Sequence, residues 1–150
     1  MLDRRLRTPG SWPRALPLAL LEGHGMVNDV ADFLAGFVAA EGCFAHSGAR
    51  FRLAVALADD DVAGVELLRA FTGVGTICRS PPRSERTKGA VIWAVQSRVE
   101  LLDVVVPWLD DHLAPCHKRQ QYEAWRAALL VAGRPRSRRA AALAGARITT

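Results

Sequence analysis

The sequence predicts an α+β fold: a four-stranded antiparallel sheet with helices on one side, in the element order αββαββαα. Three observations carry this expectation. Residues 29–41 have helical periodicity, are rich in small apolar residues and end on Glu41-Gly42. Residues 51–57 alternate apolar and polar side chains with the period of a half-buried strand. An acid-led apolar stripe and a glycine-opened hairpin then repeat the helix-then-hairpin order.

The elements follow in turn. Pro9, Gly10, Pro13, Pro17, Gly23 and Gly25 resist regular structure, so residues 1–27 are expected to be an irregular leader outside the fold. Met26 stands just before the first strong helix, and the sequence leaves the start codon open between Met1 and Met26. Asn28 is placed to cap a helix from about Asp29 to Glu41, with Asp29 and Asp32 near the positive end of its dipole. Strands are expected over Cys43 to Ser47 and Phe51 to Leu57, around a turn at Gly48-Ala49. Phe51, Leu53, Val55 and Leu57 then share one face, and Arg50, Arg52, Ala54 and Ala56 the other.

Asp59-Asp60-Asp61 reads as a helix start in which the acids cap and are solvated. Val62, Val65, Leu68 and Phe71 supply the stripe of that second helix. Gly73-Val74-Gly75 ends it and opens a hairpin of Thr76 to Ser80 and Ala90 to Ser97, with a basic cluster at its tip. A short helix from Glu100 to Val106 should end or kink at Pro107. The last helix, Lys118 to Ala132, places Tyr122, Trp125, Leu129 and Ala132 at core spacing. One domain over residues 28–132 is expected, followed by a basic flexible tail, 133–150. A chain of 150 residues is long enough to bury a core, removing roughly 70% of the unfolded chain's surface from water.

Charge is uneven. The net +5 divides into +7 from His117 onward and −2 before it. An arginine-rich terminal stretch suits a polyanion, because guanidinium pairs phosphate oxygens two at a time; a solvated tail is the plainer account of the same residues. Cys43, Cys78 and Cys116 contain no CxxC pair, which argues against a disulfide framework or a structural zinc and fits a reducing cytoplasm. His112, Cys116 and His117 lie close in sequence but lack a second ligand pair. No apolar run approaches the ~18 residues of a membrane span, and Leu16 to Leu21 is broken by Pro17.

A carboxylate at the end of an apolar helix is costly unless a cation or partner compensates it, which singles out Glu41. The segment Asp32-Phe33-Leu34-Ala35-Gly36-Phe37-Val38-Ala39-Ala40-Glu41-Gly42-Cys43-Phe44 resembles the signature helix of the LAGLIDADG homing endonucleases. It matches at Leu34, Ala35, Gly36, Glu41 and Gly42 and departs at Ala39, where the family often has an acid. Phe71 to Ile77, Trp93, Pro107-Trp108-Leu109 and Lys118 to Trp125 follow in the family's order, so the resemblance spans about Asp32 to Leu130.

The resemblance implies a saddle-shaped αββαββα unit whose sheet lies on double-stranded DNA. Two signature helices pack together there and aim their terminal acids at the scissile phosphates. With one motif and no internal repeat, this chain would act as a homodimer through Leu34, Ala35, Gly36, Phe37 and Val38. Mg²⁺ (or Mn²⁺) is the implied cofactor, held by Glu41 and the Ala40 carbonyl; no other small-molecule cofactor and no membrane is implied. Lys118 matches a basic position near the site, where it would stabilise developing negative charge, and Gln121 would orient solvent. Lys118 as a plain phosphate contact is the alternative role.

For DNA contact, the outward face of the first hairpin is expected to present His46, Arg50 and Arg52. The second hairpin would present Arg79, Arg83, Arg86 and Lys88, and the last helix Arg119. A two-stranded ribbon fits the major groove, where arginine reads guanine bidentately. Trp93 and Trp125 are expected in the core. A site-specific double-strand endonuclease is the leading expectation. The alternatives are a non-cleaving DNA- or RNA-binding module on the same scaffold, a transcriptional regulator or splicing maturase, and a small-molecule-binding domain.

Overall fold

The computed structural model describes residues 24–135, with side-chain surroundings from residue 28 onward. Its elements are α1 (His24–Glu41), β1 (Gly42–Ser47), β2 (Arg50–Ala58), α2 (Val62–Thr72), β3 (Thr76–Ser80) and β4 (Ala90–Val95), then α3 (Arg98–Glu100), a π-helical segment (Leu101–Val105), α4 (Val106–His112) and α5 (His117–Ala132). The expected leader and tail fall for the most part outside the described residues. The strands form one antiparallel sheet in the order β1-β2-β4-β3.

Period-two alternation decides the layering. Leu53 and Val55 on β2 face the helices with Val91, Trp93 and Val95 of β4, all fully buried. The helices meet this face with Leu34, Ala35 and Val38 of α1, Val65 and Leu68 of α2, Leu109 of α4, and Tyr122 and Leu129 of α5. The core tryptophans also fasten elements through their ring N–H groups. Trp93 donates to the Val74 carbonyl at 3.0 Å, Trp108 to Ala31 at 3.1 Å and Trp125 to Ala45 at 3.0 Å. Gly75 is required where Trp93 binds the chain: its φ is +85°, and an added Cβ would stand 2.7 Å from the indole nitrogen.

The Tyr122 hydroxyl, deep under α4, donates at 2.7 Å to Asp110, which also accepts from Arg126. Burial and that carboxylate push the phenol's ionisation far up, so Tyr122 stays neutral.

Several local expectations are corrected. Helix α1 begins at His24, so Asn28 lies inside it and caps nothing. A single helical glycine such as Gly25 costs about 1 kcal/mol, too little to stop a helix by itself. Asp61 occupies the N-cap position of α2 without a side-chain capping bond. Asp60 instead pairs with Lys88 at 2.5 Å, which lowers the Asp60 pKa, and the Asp59 amide donates to Gly89 at 3.0 Å. Asp60 through its carboxylate and Asp59 through its backbone amide thus hold the β3–β4 loop.

Strand β4 ends at Val95, and Ser97 caps α3 by accepting from the Glu100 amide. Pro107 does not end the helical path: a π-helical turn precedes it, with the Val106 amide bonded five residues back to Leu101. Widening the turn accommodates a residue that cannot donate, at the point where Trp108 and Leu109 must reach the core.

Candidate nucleic-acid interface

The site begins where α1 becomes β1 without a loop, Glu41 being the last helical residue and Gly42 the first of the strand. A Cβ on Gly42 would press into the Val38 carbonyl oxygen and lie 2.8 Å from Val38 Cγ1, so no larger residue fits this corner. The abrupt exit leaves Glu41 exposed, on the rim of a shallow depression of about 240 Å³ on the helix-free face of the sheet. Arg52 lines the same depression, with Cys43, Ala45, Ala54 and Ile92 among the other walls.

Lys118, half-buried near the start of α5, donates from Nζ to the Gly42 carbonyl at 2.8 Å. An ammonium is therefore held one residue from Glu41, where the C-terminal end of the α1 dipole also favours positive charge. Glu41 makes no ion pair with another described residue. Gln121 points elsewhere: its amide meets His117 Nε2 at 3.2 Å.

The structure divides the expected DNA-contacting residues. Arg50 and Arg52 are exposed on the helix-free face, in register with Ser47 and Ala45. His46 is not on that face. It pairs in register with Phe51 on the helix side and stacks on that ring at 5.1 Å. Arg79 likewise pairs with buried Val91, which puts it on the helix side of the sheet edge. In both cases a one-residue offset reverses the face, and counting by twos from Phe44 or Ile77 would have shown it.

Arg83 and Arg86 are exposed in the β3–β4 loop and pair with no described acid, whereas Lys88 is engaged by Asp60. Arg119 is committed to the fold, bonding the carbonyls of Asp110 in the last turn of α4 and Leu113 just after it, and the Glu123 carboxylate. That use satisfies helix-end carbonyls and leaves little of the guanidinium for phosphate.

Helix α1 shows two apolar stripes with different fates. Leu34, Ala35 and Val38, expected between subunits, are at most 1% exposed and form the chain's own core. Phe37 is half-buried, packed near Gly64 of α2, where a Cβ would come within 3.2 Å of its ring. The open stripe is Phe33, Gly36 and Ala40, with Phe33 62% exposed and nothing within 4 Å of a Cβ built on Gly36. Phe33 is not among the residues expected from sequence; its spacing from Gly36 and Ala40 was the available signal. Asp32 borders this stripe and meets His112 Nδ1 at 2.7 Å.

No helix among the described residues is long and apolar enough to cross a membrane. No protein-family model matches the sequence, and neither does any curated protein. Solved structures do match. The meganuclease I-SmaMI bound to uncleavable DNA is similar with a TM-score of 0.57 and 20% identity, over 69% of this chain and 37% of that one. The I-SmaMI LAGLIDADG homing endonuclease bound to cleaved DNA gives 0.56 and 19%, over 69% and 36%. The group I intron-encoded homing endonuclease I-CeuI complexed with DNA gives 0.56 and 17%, over 69% and 55%. The chain thus spans little more than a third of the I-SmaMI chains, and at these identities the likeness is one of architecture. Its α+β sheet with helices on one face has the fold of LAGLIDADG homing endonucleases.

Proposed function

We propose that this chain is a divalent-metal-dependent, site-specific double-strand DNA endonuclease that works as a homodimer. The observation that carries the reading is the corner at Gly42. Exposed Glu41 shares a concave surface with Arg52 there, and Lys118 is held against the next carbonyl. A surface with a carboxylate beside two cations suits a phosphodiester: the cations hold phosphate, and the carboxylate faces the place where a hard metal ion would sit.

The donor set fits Mg²⁺ shared with substrate. Among the described residues no three His, Cys, Asp or Glu side chains converge on one point. Mg²⁺ needs no such cage, since one or two carboxylates plus substrate phosphate and water satisfy it. Glu41 and the Ala40 carbonyl would hold it, and the bound ion would lower the pKa of its water and stabilise charge on the cleaved phosphate. Lys118 would steady negative charge on that phosphate. Gln121, engaged by His117, would reach solvent at the site after a change of rotamer.

One chain offers one Glu41, so cutting both strands calls for a second copy. The stripe of Phe33, Gly36 and Ala40 supports such pairing, because an open glycine between small and aromatic residues lets two helices approach closely. The test is incubation of the purified protein with a randomised duplex library, with Mg²⁺, with Mn²⁺ and with chelator. Metal-dependent double-strand breaks at one recurring sequence are expected. Recurrent binding without breaks under every metal condition would make the chain a binding module instead.

A further inference from the structure

We infer, on the basis of the DNA-binding reading above, that the middle of the helix-free sheet face selects thymine through its 5-methyl group. Ala54, Ala56 and Ile92, which line the depression on that face, are the selecting residues.

The cross-strand registers show why. One outward row across the sheet runs Cys43, Ala54, Ala94 and Thr76. The next runs Ala56, Ile92 and Cys78. Strong hydrogen-bonding side chains stand at the margins of this face: Arg50 and Arg52 toward the β1–β2 turn, Thr76 and Ser80 along the opposite edge strand. The centre holds short apolar side chains, and part of it is hollowed into the depression that Glu41 and Arg52 share.

A base edge over Ala54, Ala56 and Ile92 meets no donor or acceptor, Glu41, Arg52 and Cys43 standing around them. Adenine N6 and N7, guanine O6 and N7, or cytosine N4 pressed against alanine would lose water without gaining a partner; thymine O4 bears the same cost, but its neighbouring methyl group gains apolar contact in return. Thymine alone presents a methyl group in the major groove, and alanine is a natural contact for it. The occupant is DNA rather than an apolar protein surface because exposed arginines stand at the turn end of the face and in the β3–β4 loop, where phosphates would lie.

The experiment recovers bound duplexes from a randomised library with the full-length protein, then replaces thymine by deoxyuridine at each enriched position. Deoxyuridine keeps every hydrogen-bonding group and removes the methyl alone. A T·A-enriched block inside each half-site is expected, with affinity falling about fourfold per methyl removed there, the fold-change equivalent of ~0.8 kcal/mol per buried carbon. Deoxyuridine outside the block should leave affinity unchanged. Ala56→Asn, at an exposed position, should shift preference at one position from T to A without changing the melting temperature. Specific binding without a thymine block, or with deoxyuridine tolerated throughout, overturns the inference and leaves DNA binding standing. Failure to recover any duplex overturns the DNA reading itself, and this inference with it.

Discussion

Lys118 Nζ donates to the carbonyl of Gly42 at 2.8 Å, a bond that joins residues 76 positions apart in the chain. Through it the first turn of α5 is anchored beside Glu41, and the ammonium of a half-buried side chain is held at the residue that follows it. The bond is made to a backbone carbonyl and uses one of three ammonium protons, so two remain for a phosphate oxygen.

Lys118→Met should therefore keep the apolar stem and lose the charge. We expect single-turnover cleavage to fall by about 10²–10³-fold, the scale of removing one donor aimed at developing negative charge, while DNA affinity drops less than tenfold. An unchanged cleavage rate would reduce Lys118 to a tie between α5 and β1.

Glu41→Gln preserves size and removes the charge that would hold a divalent cation. Cleavage is expected to fall by several orders of magnitude, and binding measured by gel shift in calcium-free buffer should persist or tighten, because a negative charge facing phosphate is gone. Since Glu41 is exposed, the melting temperature should stay the same. Wild-type cleavage by this variant would remove Glu41 from the mechanism.

The two stripes of α1 separate folding from association. Leu34→Ala should destabilise the monomer by about 2–5 kcal/mol, read by denaturant unfolding, because it leaves a cavity at a fully packed position. Phe33→Asp should leave monomer stability nearly unchanged and abolish the dimer in sedimentation. If Phe33→Asp still sediments as a dimer, the subunits meet through another surface.

Arginines divide in the same way. Arg83→Ala and Arg86→Ala should each weaken DNA binding and lessen the log–log salt slope by about 0.9, the change expected when one phosphate is no longer neutralised. Arg119→Ala should leave the slope alone and lower stability by about 1–3 kcal/mol, because the carbonyls of Asp110 and Leu113 lose their donor. A reduced salt slope in Arg119→Ala would return that residue to the DNA interface.

Gly42→Ala should lower stability through the close approach to Val38 or displace Glu41, and thermal melting together with cleavage distinguishes the two. A variant with native melting and native cleavage would show that the corner relaxes freely.

The sequence by itself determined the element order, the inward face of β2 and the corner at Glu41-Gly42. Each rests on local period or chemistry: alternation by twos places Phe51, Leu53 and Val55 together whatever surrounds them, and the apolar helix ending on an acid is visible in one line of residues. Only the tertiary structure decided which side of α1 lies inside. Leu34, Ala35 and Val38 compete with Phe33, Gly36 and Ala40 on the same helix, and periodicity identifies two stripes without saying which one the sheet covers. The same holds for charge. Arg119, Lys88 and Arg52 are equally basic in sequence, yet Arg119 closes the end of α4, Lys88 holds Asp60, and Arg52 faces outward beside Glu41. A long cationic side chain takes its role from whichever unsatisfied oxygen the fold brings within reach, and those oxygens come from residues far away in the chain.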